Sequence, residues 1–172
     1  MTNHTETNRQ ARPIAPKVNE LISSTKSIIL GTIDSDGNPT ASYAPYVRVG
    51  NDFYILVSFM ARHTKNLLNG KASALFIEDE STTKQVYARE RLTLDTITEQ
   101  IDRNSATWNE VVSQLKNTHG KVVEMISEMQ DFILIKLKPT KGSYVNGFGS
   151  AYFVDENLEI TQHRNDVNHQ TK

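Results

Sequence analysis

The 172-residue chain contains no cysteine. That absence excludes disulfides, thiolate nucleophiles, iron–sulfur clusters, cysteine-bound zinc and covalent haem attachment through a Cys-x-x-Cys-His motif. It fits a reducing compartment. Neither sign of charge dominates: 19 basic residues face 20 acidic ones, for a formal net charge of -1. Nothing in that balance points to a nucleic-acid surface or a polybasic membrane patch. No apolar run approaches the ~20 residues that a membrane span needs, and the first residues lack the apolar stretch of a secretory signal. The expectation is a soluble cytoplasmic protein with neither a membrane nor a nucleic acid as partner. At this length a single domain can bury a real core.

The most informative stretch present is Phe53 to Asn69 (FYILVSFMARHTKNLLN). Phe53 to Val57 is short, aromatic and β-branched, which reads as a strand buried on both faces. Ser58 is a candidate cap. Ala61 to Leu68 reads as a short helix, ended by Gly70 in a left-handed conformation. A core strand thus hands over to a helix N-terminus carrying Arg62, His63, Thr64 and Lys65. Cations and free N–H groups gathered there would suit a phosphate or carboxylate. Without a partner they are simply a solvated first turn.

The rest of the chain is dominated by strand signals. Residues 1–16 are polar and aperiodic and read as a flexible arm. Lys17 to Ser24 carries Val18, Leu21 and Ile22 at helical spacing. Ser27 to Ile33 reads as a strand, and Asp36-Gly37 as the turn of a hairpin returning through Thr40 to Tyr43. Lys71 to Glu78 is a further strand. Val86 to Ala88 and Arg91 to Leu94 read as one strand or its two halves. In the second half Arg91 and Thr93 share one face and Leu92 and Leu94 the other. From Thr98 the period shifts toward 3.6, so Thr98 to Thr118 is expected to be helical, and Val122 to Met129 a second helix. Asp131 to Leu137 is a strand stopped by Pro139. Gly142 to Val154 reads as a bent strand pair with bulges or close backbone approach, and Asp155 to Lys172 as a polar tail. Five to seven short strands joined by tight turns, without regular β-α alternation, predict a mainly β (α+β) fold. A small antiparallel barrel with flanking helices fits best. The expected body is 17–154, with a helical insertion around 98–129 and a tail from 155 to 172.

Several segments, taken in order, resemble a known family. They are Ser42-Tyr43-Ala44-Pro45-Tyr46-Val47, Ala61-Arg62-His63-Thr64-Lys65-Asn66-Leu67, Ala88-Arg89-Glu90-Arg91-Leu92-Thr93 and Leu137-Lys138-Pro139, with Gly147-Phe148-Gly149 and Ala151-Tyr152 beyond. The series is similar to haem-utilisation proteins of the HugZ/HutZ type, within the pyridoxamine-5′-phosphate-oxidase-like superfamily of FMN-binding split β-barrels. The resemblance implies a homodimer with ligand sites between the barrels. It implies haem in place of flavin, held by a histidine of the C-terminal segment. It implies haem oxygenase-like breakdown of haem to a biliverdin-type product with release of iron, with an electron donor and a haem-delivery protein as further partners.

Haem asks for an axial ligand, an apolar slot and partners for its propionates. The family's His-Arg pair near the C-terminus is matched by His163-Arg164, so His163 is the expected iron ligand, with His169 as the alternative. Asp131, a charge set just before an apolar run, is the expected acceptor for the ligand's second N–H; as a bare turn residue it would do nothing more. Arg91, Lys65 and Arg62 are candidate propionate partners, and His63 a candidate for lining the pocket. His119, at a helix end, reads as structural. Two other functions stay open: an FMN-binding oxidoreductase holding the phosphate at Arg62, Thr64 and Lys65, and a non-enzymatic haem store or carrier with the same ligand.

Overall fold

A computed structural model describes residues 15–164. Its elements are α1 (Ala15–Ser24), β1 (Ser27–Ile33), β2 (Pro39–Pro45), β3 (Val47–Val49), β4 (Asp52–Ser58), α2 (Arg62–Leu67) and β5 (Lys71–Ile77). After these come β6 (Arg91–Ile101), α3 (Ala106–His119), α4 (Lys121–Glu128), β7 (Phe132–Val145), β8 (Ala151–Asp155) and β9 (Ile160–His163). All nine strands form one antiparallel sheet, in the order β2-β1-β5-β6-β7-β4-β3, with β8 added to β7 and β9 to β8. The two ends of that path, β2 and β3, are separated in the chain only by Tyr46. The sheet must therefore curl until its ends nearly meet. The result is the expected antiparallel split barrel with flanking helices.

Strand β4 explains why Phe53 to Val57 carries no polar residue. All five are buried. Phe53, Ile55 and Val57 point into the barrel, among Leu30, Phe76 and Leu92, beneath Val18, Leu21 and Ile22 of α1. Tyr54 and Leu56 point outward, under Trp108, Val111 and Leu115 of α3 and Val123 of α4. Burial at ~25 cal/mol per Å² on both faces makes this strand the hinge of two cores. Tyr46 ties the seam. Its hydroxyl donates to the Ile22 carbonyl (2.6 Å), and its own carbonyl accepts from His119 Nε2 (2.8 Å). His119 is thus a fastening between α3 and the barrel.

Several boundaries differ from the sequence expectations. Helix α1 begins at Ala15 rather than Lys17, because a proline is tolerated in a first helical turn. Val86 to Ala88 is an exposed 3₁₀ turn and not part of a strand. Thr98 to Ile101 belongs to β6, not to a helix. All four residues pair with β7, and Thr98 is held by a hydrogen bond to the Leu67 carbonyl. The helix starts only where Ser105 accepts from the Trp108 N–H (3.1 Å). Pro139 does not stop β7, which runs 14 residues. It lies opposite Thr96, where the β6–β7 register shifts. There a missing N–H costs nothing and the strand can bend. Before the bend β7 pairs with β4; after it, with β8. Gly142 follows. A Cβ at that position would lie 2.6 Å from both the Thr93 carbonyl oxygen and Leu94 Cδ2. The tail expected from Asp155 onward instead forms β9 through His163. Asp155 Oδ1 accepts the Asn157 and Glu159 N–H groups, each at 2.9 Å, and Leu158 turns the chain in a left-handed conformation (φ 63°) while fully buried.

Candidate functional site

His163 ends β9, opposite Tyr152 of β8, which is itself opposite Tyr144 of β7. The sheet register puts these three on the barrel-interior face, at its open end. The imidazole meets the Tyr152 ring edge-on (4.9 Å, 84°), and its Nε2 lies 3.1 Å from the Gly149 carbonyl. Gly149 belongs to the tight 146–150 connection, where it and Gly147 take positive φ (66° and 112°). Arg164 leaves on the other face. Its N–H donates to the Ala151 carbonyl, and its guanidinium lies over the Phe153 ring at 5.4 Å. His169 and the arm residues 1–14 lie outside the described residues.

Arg91 opens β6 on that same outer face, between Ile77 and Val145, and donates to the Arg89 carbonyl (2.9 Å). The face continues as a row of Tyr43, Ile29, Leu75, Thr93, Ser143 and Phe153. Tyr43 is 68% and Ile29 42% exposed, so this is an apolar shelf open to the outside. Along its side runs a groove of about 890 Å³, with Leu21, Ile29, Leu75 and Ile77 as its apolar lining and Lys17, Glu78 and Arg89 among its charges.

Asp131 sits at the opposite end of β7 from Tyr144. Its Oδ2 accepts from the Ser58 hydroxyl (2.7 Å), its carbonyl accepts from the Phe59 N–H (2.8 Å), and Oδ1 takes no partner among the described residues. Fourteen residues of strand at ~3.3 Å each would span roughly 45 Å if straight. Within one chain, then, Asp131 does not meet His163, and Arg91 lies on the other face of the sheet from that imidazole.

Nor do the residues of α2 converge as one anion cradle. Arg62 reaches Asp34 (3.4 Å), a pair exposed on the arginine side. Thr64 is fully buried and donates to the Ser58 carbonyl (2.6 Å). Ser58 therefore does not cap this helix; Ala61 holds the cap position and offers no side-chain bond. Lys65 is exposed. His63 is half-buried, and among the described residues its enclosed Nε2 has no hydrogen-bond partner, nor have Thr40 Oγ1 and Ser42 Oγ. Burial lowers the imidazole pKa below its usual value. Among the described residues no group of three or more histidine, aspartate or glutamate side chains is placed to hold a metal ion, and no helix is long and apolar enough to cross a membrane.

Known proteins place this architecture. The family model of pyridoxamine 5′-phosphate oxidase matches residues 14–146. The chain belongs to that family. Within it, the sequence is 39% identical over 142 residues to the heme oxygenase HutZ of Vibrio cholerae serotype O1, covering 82% of this chain and 81% of the relative. The crystal structure of Vibrio cholerae HutZ, there described as a heme storage protein, matches with a TM-score of 0.73 at 38% identity, over 78% of this chain and 95% of that one. Campylobacter jejuni ChuZ matches with a TM-score of 0.79 at 28% identity, over 88% of this chain but only 62% of its own length. The chain is thus of the HutZ type within the pyridoxamine-5′-phosphate-oxidase-like family, as the segments quoted above implied. Sequence reasoning did not single out Arg103, which the geometry places behind Asp131; an arginine between an aspartate and an asparagine in a turn gives no pattern to find it by.

Proposed function

We propose that this protein binds haem and opens its porphyrin ring in the use of haem as an iron source. His163 is the iron ligand in this reading. The observation that carries it is the relation to HutZ over four fifths of both chains; in this chain a histidine stands at the very end of the last strand. The residues fit the group in kind. An imidazole stands against Tyr152 at an open barrel end, two guanidinium groups (Arg91 and Arg164) share the neighbouring outer face, and that face is apolar between them. Haem, when bound, supplies the oxygen chemistry itself. The chain's own residues then have three tasks. His163 would hold the metal, Arg91 would offer a fork of donors to a carboxylate, and Asp131 would take the ligand imidazole's N–H in place of the Gly149 carbonyl, raising its donor strength.

Because Asp131 and His163 are separated by the length of β7, the third task requires two copies. We therefore propose a homodimer in which the Asp131 of one protomer serves the His163 of the other, with reducing equivalents delivered by a separate electron donor. The exposed row Tyr43–Ile29–Leu75 offers an apolar surface for such pairing. A second reading, storage without turnover, is favoured by the description of the HutZ crystal structure as a heme storage protein.

Titration of the purified protein with haemin, followed by ascorbate in air, separates these readings. A saturable Soret band that decays with release of iron is the expected result. A stable band would leave storage, and saturation by FMN without haem affinity would return the protein to the flavin branch of its family. His163→Ala should abolish or shift the band, and a spectrum changed by His169→Ala instead would move the ligand to His169.

A further inference from the structure

Arg103 lies in the 102–105 connection between β6 and α3, and its guanidinium is fully engaged. It donates to the carbonyls of Ser127 (2.6 Å), Met129 (2.8 Å) and Phe132 (2.6 Å), and it stacks on the buried Trp108 ring at 4.4 Å. Those carbonyls bracket Asp131. Two come from the end of α4 and its cap, where helix carbonyls lack intrahelical partners and a cation complements the dipole. The third belongs to the first residue of β7. One planar fork thus gathers the chain on both sides of the aspartate, a geometry that a lysine ammonium cannot reproduce. From the other side Ser58 and the Phe59 N–H hold the carboxylate and carbonyl of Asp131 itself. The carboxylate is fixed between two supports, with Oδ1 left over.

We infer that Arg103 is a positioning residue, which sets the Met129–Phe132 turn so that Asp131 presents its carboxylate to the iron-ligating imidazole. This rests on the haem reading above. Arg103 touches neither ligand nor iron; it acts through the turn.

The test compares Arg103→Lys with Ser105→Ala, which removes the α3 cap nearby and lowers stability without touching the turn. Amide exchange is followed in the protein without haem, and the iron–imidazole stretch in the haemin-loaded, reduced protein. Arg103→Lys should speed exchange of the Phe59 and Phe132 amides but not of Ile135. It should still saturate with haemin, shift the stretch in the same sense as Asp131→Asn, and slow ring opening ~10-fold or more, as loss of an orienting partner does. Ser105→Ala should lower the Tm and leave the stretch in place. A normal Soret band with an unmoved stretch in Arg103→Lys, or an equal shift in Ser105→Ala, overturns the inference. Absence of any Soret band in the unsubstituted protein overturns the haem reading instead, and is told apart by that protein alone.

Discussion

The two ends of β7 are held by different means. At the Asp131 end the strand starts under two helices. Its backbone is gripped by Arg103 and by Phe59, and Leu134 is fully buried against Trp108 and its neighbours. The supports there reach in from distant parts of the chain: the Arg103 guanidinium, the Phe59 N–H, the β4 ladder and the side chains of α3. At the other end the strand carries Tyr144 and then an added hairpin, β8 and β9, which attaches through its ladder and a few buried side chains such as Tyr152, Val154 and Leu158. An edge of that kind opens more readily than a strand with neighbours on both sides. A carboxylate that must be aimed is built on the rigid end. In the proposed haem site, the ligand that must let a large group enter would stand on the end that can yield.

That contrast can be broken. The largest effect is expected from Gly142→Ala. The new methyl would press on the Thr93 backbone where no side chain can move aside, costing ~3 kcal/mol, read as a fall in Tm. If Gly142→Ala is as stable as the parent, β7 has room at its bend and is not pressed against Thr93 there. Tyr144→Phe comes next. Tyr144 is buried and donates a short hydrogen bond to the Glu90 carboxylate, and burial with that carboxylate drives the phenol pKa far upward, keeping the donor protonated. Loss of a bond to a charged acceptor should cost ~2 kcal/mol, measured by urea unfolding. An unchanged midpoint would show that Glu90 is served by water.

Ser58→Ala should cost about 1 kcal/mol, and should loosen the Phe59 amide while leaving the amides of β8 as protected as before. Equal loosening at both ends would erase the distinction between them. The smallest effect is one of pH. His63 has its pKa lowered by burial from 6.5, so the unfolded chain takes up a proton that the folded chain resists. Stability contributed this way is complete above the unfolded value and declines as pH falls below it. Unfolding midpoints compared at pH 7 and pH 5 should fall more in the parent than in His63→Gln. An identical fall in both would assign the pH dependence elsewhere.

Local chemistry was legible where it decides the outcome alone. Phe53 to Val57 reads as a strand buried twice over, and the structure makes it so. Asp36-Gly37 reads as a hairpin turn, and Gly37 takes φ 83° there. Legibility failed where two readings were locally balanced. Thr98 to Ile101 has apolar spacing that suits the following helix, yet pairing with β7 and the bond to Leu67 claimed it for β6. Pro139 reads as a stop, but opposite a register shift it is a bend. Asp155 to His163 reads as a polar tail because one strand at an edge needs few apolar residues. Of the candidate site, residue types were visible and their directions were not. Arg62 turns to Asp34, and Thr64 turns inward.

By itself the sequence determined the β-rich barrel, the two-sided core strand and the inventory of groups able to meet haem. Alternation, turn residues and burial are properties of short segments, written in neighbouring positions. The tertiary structure alone decided that β7 bends at Pro139, that Asp131 and His163 end far apart in one chain, and that Arg103 braces the aspartate. Each of these depends on which distant carbonyl or strand is left without a partner once the sheet has closed, and no local pattern records that.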